Sequence, residues 1–405
     1  MYEIAARWPE KIVDVEIDVL AVDPHAEIAA RRAQHRIIRR AGDQYMVLRA
    51  CDVYELLTHP DTQQIDGVDY VRLNGIPPGA VATFLTDFFL FANGEDHRRK
   101  RGLFSRAFGR AEILAARPRV RAAADKMVAA LPRGEAFDFL AGMATRLPAE
   151  LTAAMLGLPE AEATYFAHRA SVVAPAMSRN YPHETHAELE DAVVELVYFI
   201  EVQLRARLAA PQNDLLTALA VNWDAYREVP FESLVHQVLG LIVGGADATP
   251  AAFAMAVALA AGPGGDWQGL RDDPGLIPAA VSEALRVEPP LASVSRYARG
   301  PVTFGDATIP KGATICASLL SALRDPDVCA RPDVYDIHRA DRPPHHPAFG
   351  LGPHRCIGEM LARIELEEGL AALTANAPDL EVLVPPAMRG IDGIRAITPM
   401  QVRIR

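Results

Sequence analysis

Apolar residues recur at intervals of three and four through 111–131, 149–156, 186–209, 231–261, 278–287 and 356–376, the period of helices that bury one face. Alternation is confined to short stretches. HRIIRR at 35–40 and QYMVLR at 44–49 flank Ala41, Gly42 and Asp43, which predicts a hairpin. A second hairpin is predicted over 302–319, VTFGDATIPKGATICASL, with turns at Gly305-Asp306 and Pro310-Lys311-Gly312. Strands are therefore expected to be few and peripheral. Between 324 and 349 the chain is rich in Pro, Asp and His and has no period. A long ordered meander of that kind inside a compact protein is usually functional. The pattern holds no internal repeat, low-complexity linker or domain boundary. Residues 1–405 are thus expected to form one large domain, mainly α with small β-sheets.

One apolar run changes the picture if misread. VLGLIVGGADATPAAFAMAVALAAG, 238–262, carries a single charge, Asp247, and is long enough to span a bilayer. Its glycines and proline, and the lack of a second such run, favour a buried core helix, so no membrane partner is expected. The first residues, MYEIAARWPEKIVDVEID, lack an apolar signal region. Half the residues are hydrophobic and 23% are charged, which is globular composition. A net charge of −11 argues against general nucleic-acid binding, because phosphate neutralisation needs clustered cations. The basic stretch HRRKRGLFSR, 97–106, is either a solvated helix face or a local docking patch. Cys51, Cys316, Cys329 and Cys356 lie far apart with no CxxC pair. Neither a zinc knuckle nor a disulfide framework is suggested, and a reducing cytoplasm is the natural setting.

The chemistry centres on FGLGPHRCIGE, 349–359. Gly350 and Gly352 allow a tight turn, Gly358 allows close approach of a backbone amide, and Cys356 then sits at the mouth of a helix. A cysteine is a strong metal ligand only as thiolate, which a helix N-terminus and backbone N–H groups stabilise. The plainer alternative is a buried structural cysteine. The full pattern, Phe-Gly-x-Gly-x-His-x-Cys-x-Gly, resembles the haem-thiolate loop of the cytochrome P450 family at every defined position. That resemblance implies the cytochrome P450 fold and haem b (iron protoporphyrin IX), with Cys356 as its axial iron ligand and Phe349 packed beside it.

Four further segments are similar to the family, and with the cysteine loop they span roughly 93–365. SEALR puts Glu283 and Arg286 on one helix face, resembling the family's Glu-x-x-Arg, and Arg339 in PDVYDIHR is implied as the third member of a buried structural network. Arg296 in RVEPPLASVSRYA, with His97 and Arg101 in NGEDHRRKR and with His354, is implied to hold the haem propionates. A guanidinium suits a carboxylate. LIVGGADAT resembles the oxygen-binding stretch of the central helix, but Ala248 stands where the family usually has threonine, and Thr249 comes one residue later. Neighbouring helical residues point about 100° apart, so Thr249 does not simply inherit the role. Pro250 lacks the N–H that would bond the Ala246 carbonyl, so the helix is expected to open beside Gly244 and Gly245. A water relay through Asp247 is the expected proton path.

The resemblance implies a monooxygenase that uses O2 and two electrons to hydroxylate or otherwise oxidise a small hydrophobic molecule. Its pocket would be drawn from Val243, Gly244 and Ala248, from Leu291 and Val294, from Phe88 and Phe89 in TFLTDFFLF, and from Ile391 and Asp392 in GIDG. Phe88 and Phe89 fit a core equally well, and Asp392, if it points inward, would favour a hydroxyl or amine. A separate ferredoxin and an NAD(P)H-dependent ferredoxin reductase are implied. Arg98, Arg99, Lys100, Arg106, Arg355 and Arg363 are the expected basic docking patch. Two alternatives stand beside this reading: a peroxide-driven peroxygenase or oxidative-coupling enzyme, suggested by Ala248, and a haem-based ligand sensor without turnover.

Overall fold

The computed structural model describes residues 12–40, 44–107, 109–158, 160–177, 181–341 and 347–405, without the side chains at 106–107, 110–112, 160–161 and 163–164. The fold is mainly helical with small sheets. Two compact units emerge, Met1–Gln64 with Ser282–Cys356 and Ala387–Ile397, and Ile65–Val281 with Ile357–Pro386 and Thr398–Arg405.

The first unit is built on a six-stranded sheet in the order Val13–Asp14, Ile37–Arg40, Gln44–Val47, Thr314–Ser318, Ser293–Ala298, Thr62–Gln63. Ile37–Arg40 and Gln44–Val47 pair antiparallel as the pattern predicts, and their turn at 41–43 lies outside the described residues. The second hairpin closes at the expected Gly305-Asp306 turn. Val302–Phe304 pairs with Ala307–Ile309 across Gly305, whereas Thr314–Ser318 enters the large sheet between Gln44–Val47 and Ser293–Ala298. Its buried run from Ile315 explains this, because a strand covered on both faces belongs in a sheet interior. The expectation of peripheral strands is corrected accordingly. Val15, Leu20, Ile28, Ile38, Met46, Leu48, Ala292 and Cys316 form a core in this unit.

Helix Ile277–Val287 ends in this unit and carries its central polar contact. Arg286 Nε and Nη2 donate to the two Glu283 oxygens at 2.9 and 2.8 Å, and Arg339 Nε donates to Oε1 at 3.1 Å. Further guanidinium protons go to backbone carbonyls, Arg286 to Leu323, Pro332 and Val334 and Arg339 to Ala330, Arg331 and Val334, and Arg339 also donates to Asp341 at 3.1 Å. Burial opposes the Glu283 charge, but Arg286, the Asp336 N–H and Arg339 together hold its carboxyl below its ordinary value. These contacts fix the aperiodic stretch between Leu323 and Arg339, which has no ladder of its own. A second hub follows at Glu288, which pairs with His25 at 2.8 Å, Arg324 at 3.0 Å and Arg395 at 2.6 Å. Burial pushes the Glu288 carboxyl up, yet these three partners bring it down to about 2.

The second unit is helical apart from a three-stranded sheet of Glu381–Val384, Gln401–Arg403 and Ala136–Asp138. Helices Arg110–Ala129, Arg146–Leu156, His186–Ala209 and Glu359–Asn376 follow the predicted spans closely. The 231–261 span is two helices, Phe231–Gly245 and Ala248–Ala261. It is long and apolar enough to cross a membrane but is mostly buried inside the protein, as an all-round apolar helix of a large core is. Helix Ala80–Asp87 lies between polar clamps. Glu190 accepts from Ala80 and Val81 N–H at its start, and Asp87 accepts from Ser233 Oγ and His236 Nδ1 at its end. The fully buried Gln237 accepts from Phe89 N–H at 2.7 Å and donates to the Asp87 carbonyl at 3.0 Å.

Replacing Glu283 by alanine leaves the buried Arg286 guanidinium without counter-charge and Arg339 with Asp341 alone, at a cost of about 3–5 kcal/mol; the expected result is a clearly lower urea midpoint, and an unchanged one contradicts the account. The Glu288 carboxyl is depressed on folding, so its stabilisation is present above the unfolded value, near 4.5, and is lost as pH falls towards about 2. Urea midpoints of Glu288→Gln and wild type are therefore expected to differ at neutral pH and converge in acid.

Candidate active site

The cysteine loop is shaped by two glycines in the left-handed region, Gly350 at φ 71° and Gly352 at φ 70°. A side chain at Gly352 would also stand 3.0 Å from the Leu57 carbonyl oxygen. Cys356 N–H closes the loop on the Phe349 carbonyl at 2.8 Å, and Arg355 N–H bonds the Gly352 carbonyl. Cys356 is exposed, in contrast to the buried Cys316 and Cys329. Gly358 is the N-cap residue of helix Glu359–Asn376. The exposed Cys356 thus lies just ahead of a helix start.

Arg296 lies on strand Ser293–Ala298, 4% exposed. It donates only to neutral groups, the Gln64 side-chain oxygen at 3.2 Å and the Ser295 carbonyl at 2.9 Å. Burial pushes its guanidinium down to about 10. A buried cation needs an anion, and no side chain among the described residues supplies one. The haem that the sequence implies has carboxylates of the right chemistry, so this position fits the group.

His97 and Arg101 lie one turn apart on helix Gly94–Ala107. His97 is buried and its ring packs against Phe89. Burial and the nearby Arg101 charge push its imidazole down to about 4, so it is neutral at physiological pH. Lys100 is not part of an exposed patch: it is buried and pairs with Asp87 at 3.0 Å and Asp96 at 2.7 Å. Arg98, Arg99 and Arg355 are exposed, Arg98 pairs with Glu95, and Arg363 with Glu359 at 3.1 Å. The Arg106 side chain lies outside the described residues.

The central helix is interrupted at Ala246 and Asp247, as the proline requires. Ala246 N–H reaches back only to the Val243 carbonyl, and Ala251 N–H contacts the Asp247 carbonyl at a long 3.4 Å. A Cβ built on Gly244 or Gly245 would meet nothing within 4 Å, so the opened turn has free space beside it. Burial raises the Asp247 carboxyl above its ordinary value, which favours a group that can hold a proton and pass it on. Ala248 is half-buried at the start of the second helix, and Thr249 is buried.

Several residues read as pocket are committed elsewhere. Asp392 accepts from the fully buried Arg40 at 2.8 Å through both oxygens, so it offers no unpaired carboxylate to a hydroxyl or amine. Ile391 is buried in the first unit's core. The residue of that turn which is both exposed and bridged to Leu291 is Ile394, at 42% exposure; Leu291 and Val294 are half-buried. Phe88 lies on Gly240, where a Cβ would stand 2.0 Å from its ring, while Phe89 sits between His97 and Phe104. Val243 is buried with them, and Gly244 is exposed. Sequence reasoning also missed Gln237, Glu190 and Glu365. Glu365 is a buried acid on the helix after Cys356, its Oε1 without a hydrogen-bond partner, and burial pushes it up to about 8. The available signal was a polar residue inside an apolar helical pattern, which alone does not tell a clamp from a solvated position.

Comparison with known proteins places this geometry in a family. A family model described as cytochrome P450 matches residues 272–376. The plant-inducible cytochrome P450-pinF1 of Rhizobium radiobacter is 33% identical over 392 residues, covering 96% of this chain and 92% of that protein. Nocardicin C N-oxygenase of Nocardia uniformis subsp. tsuyamanensis is 31% identical, covering 91% and 92%. Among solved structures, the cytochrome P450 enzyme CxnD, for C–S bond formation in chuangxinmycin biosynthesis, superposes with a TM-score of 0.84 at 27% identity, covering 98% of this chain and 99% of that one. The chain belongs to the cytochrome P450 family and is a monooxygenase of that class.

Proposed function

We propose that this chain, acting as one catalytic domain in the cytoplasm, inserts one atom of O2 into a C–H bond of a small hydrophobic molecule and reduces the other to water. Electrons would come from a separate ferredoxin served by an NAD(P)H-dependent reductase. Haem b supplies the redox centre at which dioxygen is activated. Cys356 is its thiolate ligand, flanked by Phe349 and Gly358, and Arg296, His97, Arg101 and His354 are the propionate anchors. The unmatched charge of Arg296 supports that assignment.

The observation that carries the oxygenase reading is the opened turn at Ala246 and Asp247. It combines a carboxyl inclined to hold a proton, a backbone carbonyl released by Pro250, and free space at Gly244 and Gly245. Water in that space would link Asp247 to the reacting oxygen in place of the threonine that Ala248 lacks. By the family resemblance, substrate contacts would come from Gly244, Ala248, Leu291 and Val294. This set is small or apolar, so binding is by shape, and a terpenoid, aromatic or fatty compound fits it. Arg98, Arg99, Arg355 and Arg363 remain as docking cations, and Lys100 is withdrawn because it is buried.

A reduced carbon monoxide complex of the wild type is expected to show the strongly red-shifted Soret band of thiolate ligation, and Cys356→Ser to lose it entirely; retention in the variant would assign another ligand. Asp247→Asn is expected to lower product formation by on the order of 100-fold, with electrons diverted to peroxide. Product yield per NAD(P)H, measured with a surrogate ferredoxin and reductase over an apolar compound library, checks this. Unchanged coupling removes the relay, and efficient product from peroxide alone would make the enzyme a peroxygenase.

A further inference from the structure

Helix His186–Ala209 presents an outward stripe of exposed residues. Val194, Tyr198 and Val202 are 52%, 70% and 44% exposed, which is unusual for large apolar groups repeated on one helix face. Asp191 and Arg205 continue the stripe at its two ends, both exposed; Arg205 also bonds Glu201 and lies over the Phe231 ring. At about 100° per residue, all five positions fall within roughly 40° of the line through Tyr198.

The order along this stripe is symmetric about Tyr198. Reversed, it reads the same in apolar character and opposite in charge: acid, valine, tyrosine, valine, base. An antiparallel copy of the helix would therefore set Tyr198 against Tyr198, Val194 against Val202, and Asp191 against Arg205, twice over. A two-fold interface must be self-complementary in this way, and partners of another sequence have no such requirement. Small residues, Ala187 and Ala209, stand symmetrically beyond the charges and leave room for the facing helix. Of the acids on the shoulders, Glu195 is already engaged with Arg169 at 2.7 Å, and Glu201 would share or give up Arg205 to the facing Asp191.

We propose that this face is a homodimer interface, the occupant being the same helix of a second copy packed antiparallel across a two-fold axis at Tyr198. From Ala187 to Ala209 the seam is about 33 Å long and ~10 Å wide. That amounts to roughly 300 Å² per protomer, against the ~800 Å² of a standard stable interface. The dimer is therefore weak, and it forms and dissociates with protein concentration.

Sedimentation velocity of the full chain across a wide concentration range tests this. The wild type is expected to pass from monomer to dimer. Tyr198→Lys should remain monomeric with an unchanged circular dichroism spectrum, because position 198 is exposed. Asp191→Arg should weaken the dimer at least tenfold, and adding Arg205→Asp should restore it. Tyr198→Cys should form a reducible cross-linked dimer on oxidation, while Val194→Cys, which meets Val202 rather than itself, should cross-link no more than wild type. A monomer at every concentration overturns the proposal and leaves the stripe to a different partner. A dimer that survives Tyr198→Lys, or an Asp191→Arg defect that Arg205→Asp does not repair, places the contact elsewhere and overturns it equally.

Discussion

The buried carboxylate of Glu283 is held between two guanidiniums, and that arrangement lets a stretch of chain without regular structure keep one conformation. A lone buried carboxylate costs several kcal/mol of lost hydration, and so does each arginine. Together they satisfy one another, and the fork geometry of arginine leaves further N–H groups pointing outward. Those groups meet the carbonyls of Leu323, Ala330, Arg331, Pro332 and Val334. A meander has no ladder for these carbonyls, and an unpaired buried carbonyl is costly. The same network thus solves a charge problem and a backbone problem at once. It does so in the segment that leads directly to the cysteine loop, where a small change in loop position would move the thiol.

The helical unit uses the same device with other residues. The backbone at Phe88 and Phe89 leaves helix geometry and would lose partners, and Gln237 replaces them by bonding one amide and one carbonyl. Lys100 joins Asp87 to the helix that carries His97. These clamps explain why Phe88 and Phe89 are core residues. Their backbone is tied to the central helix, and Gly240 lets the Phe88 ring lie against that helix's main chain. Side-chain amides and carboxylates buried for this purpose are fully engaged, so they contribute rigidity without offering a free polar group to a ligand.

Helices were legible in the sequence wherever an apolar stripe ran for three turns or more, and the ends of His186–Ala209 coincide with the pattern. The break in the central helix was legible too, because Pro250 dictates it through a missing donor and a steric clash. Strand partners were not. The run ICA at 315–317 is equally compatible with a hairpin and a sheet interior until its neighbours are known, since pairing is long-range and leaves no local trace. Site residues divide on the same line. Cysteine, histidine and arginine positions carry a recognisable spacing, so a resemblance can find them. The inward or outward orientation of Asp392 depends on Arg40, more than three hundred positions away, and local sequence could not reveal that Arg40 neutralises it.

The opened turn then bears on how much the missing threonine matters. A hydroxyl on an intact helix acts at a fixed distance and direction, and moving it by one residue turns it by about 100°. Thr249 lies in the second helix, one position on from Ala248, so its hydroxyl does not take up the missing one's direction. The broken turn supplies alternatives that an intact helix lacks: an Ala246 carbonyl no longer bonded by the residue at 250, and a carboxyl at Asp247 whose burial favours the protonated form. A proton can move through ordered water between such groups if space is available, and the glycines at 244 and 245 leave that space. The substitution at Ala248 and the proline at 250 therefore read as one feature. The residue that would have fixed a water is absent, and the backbone beside it is opened to hold one instead.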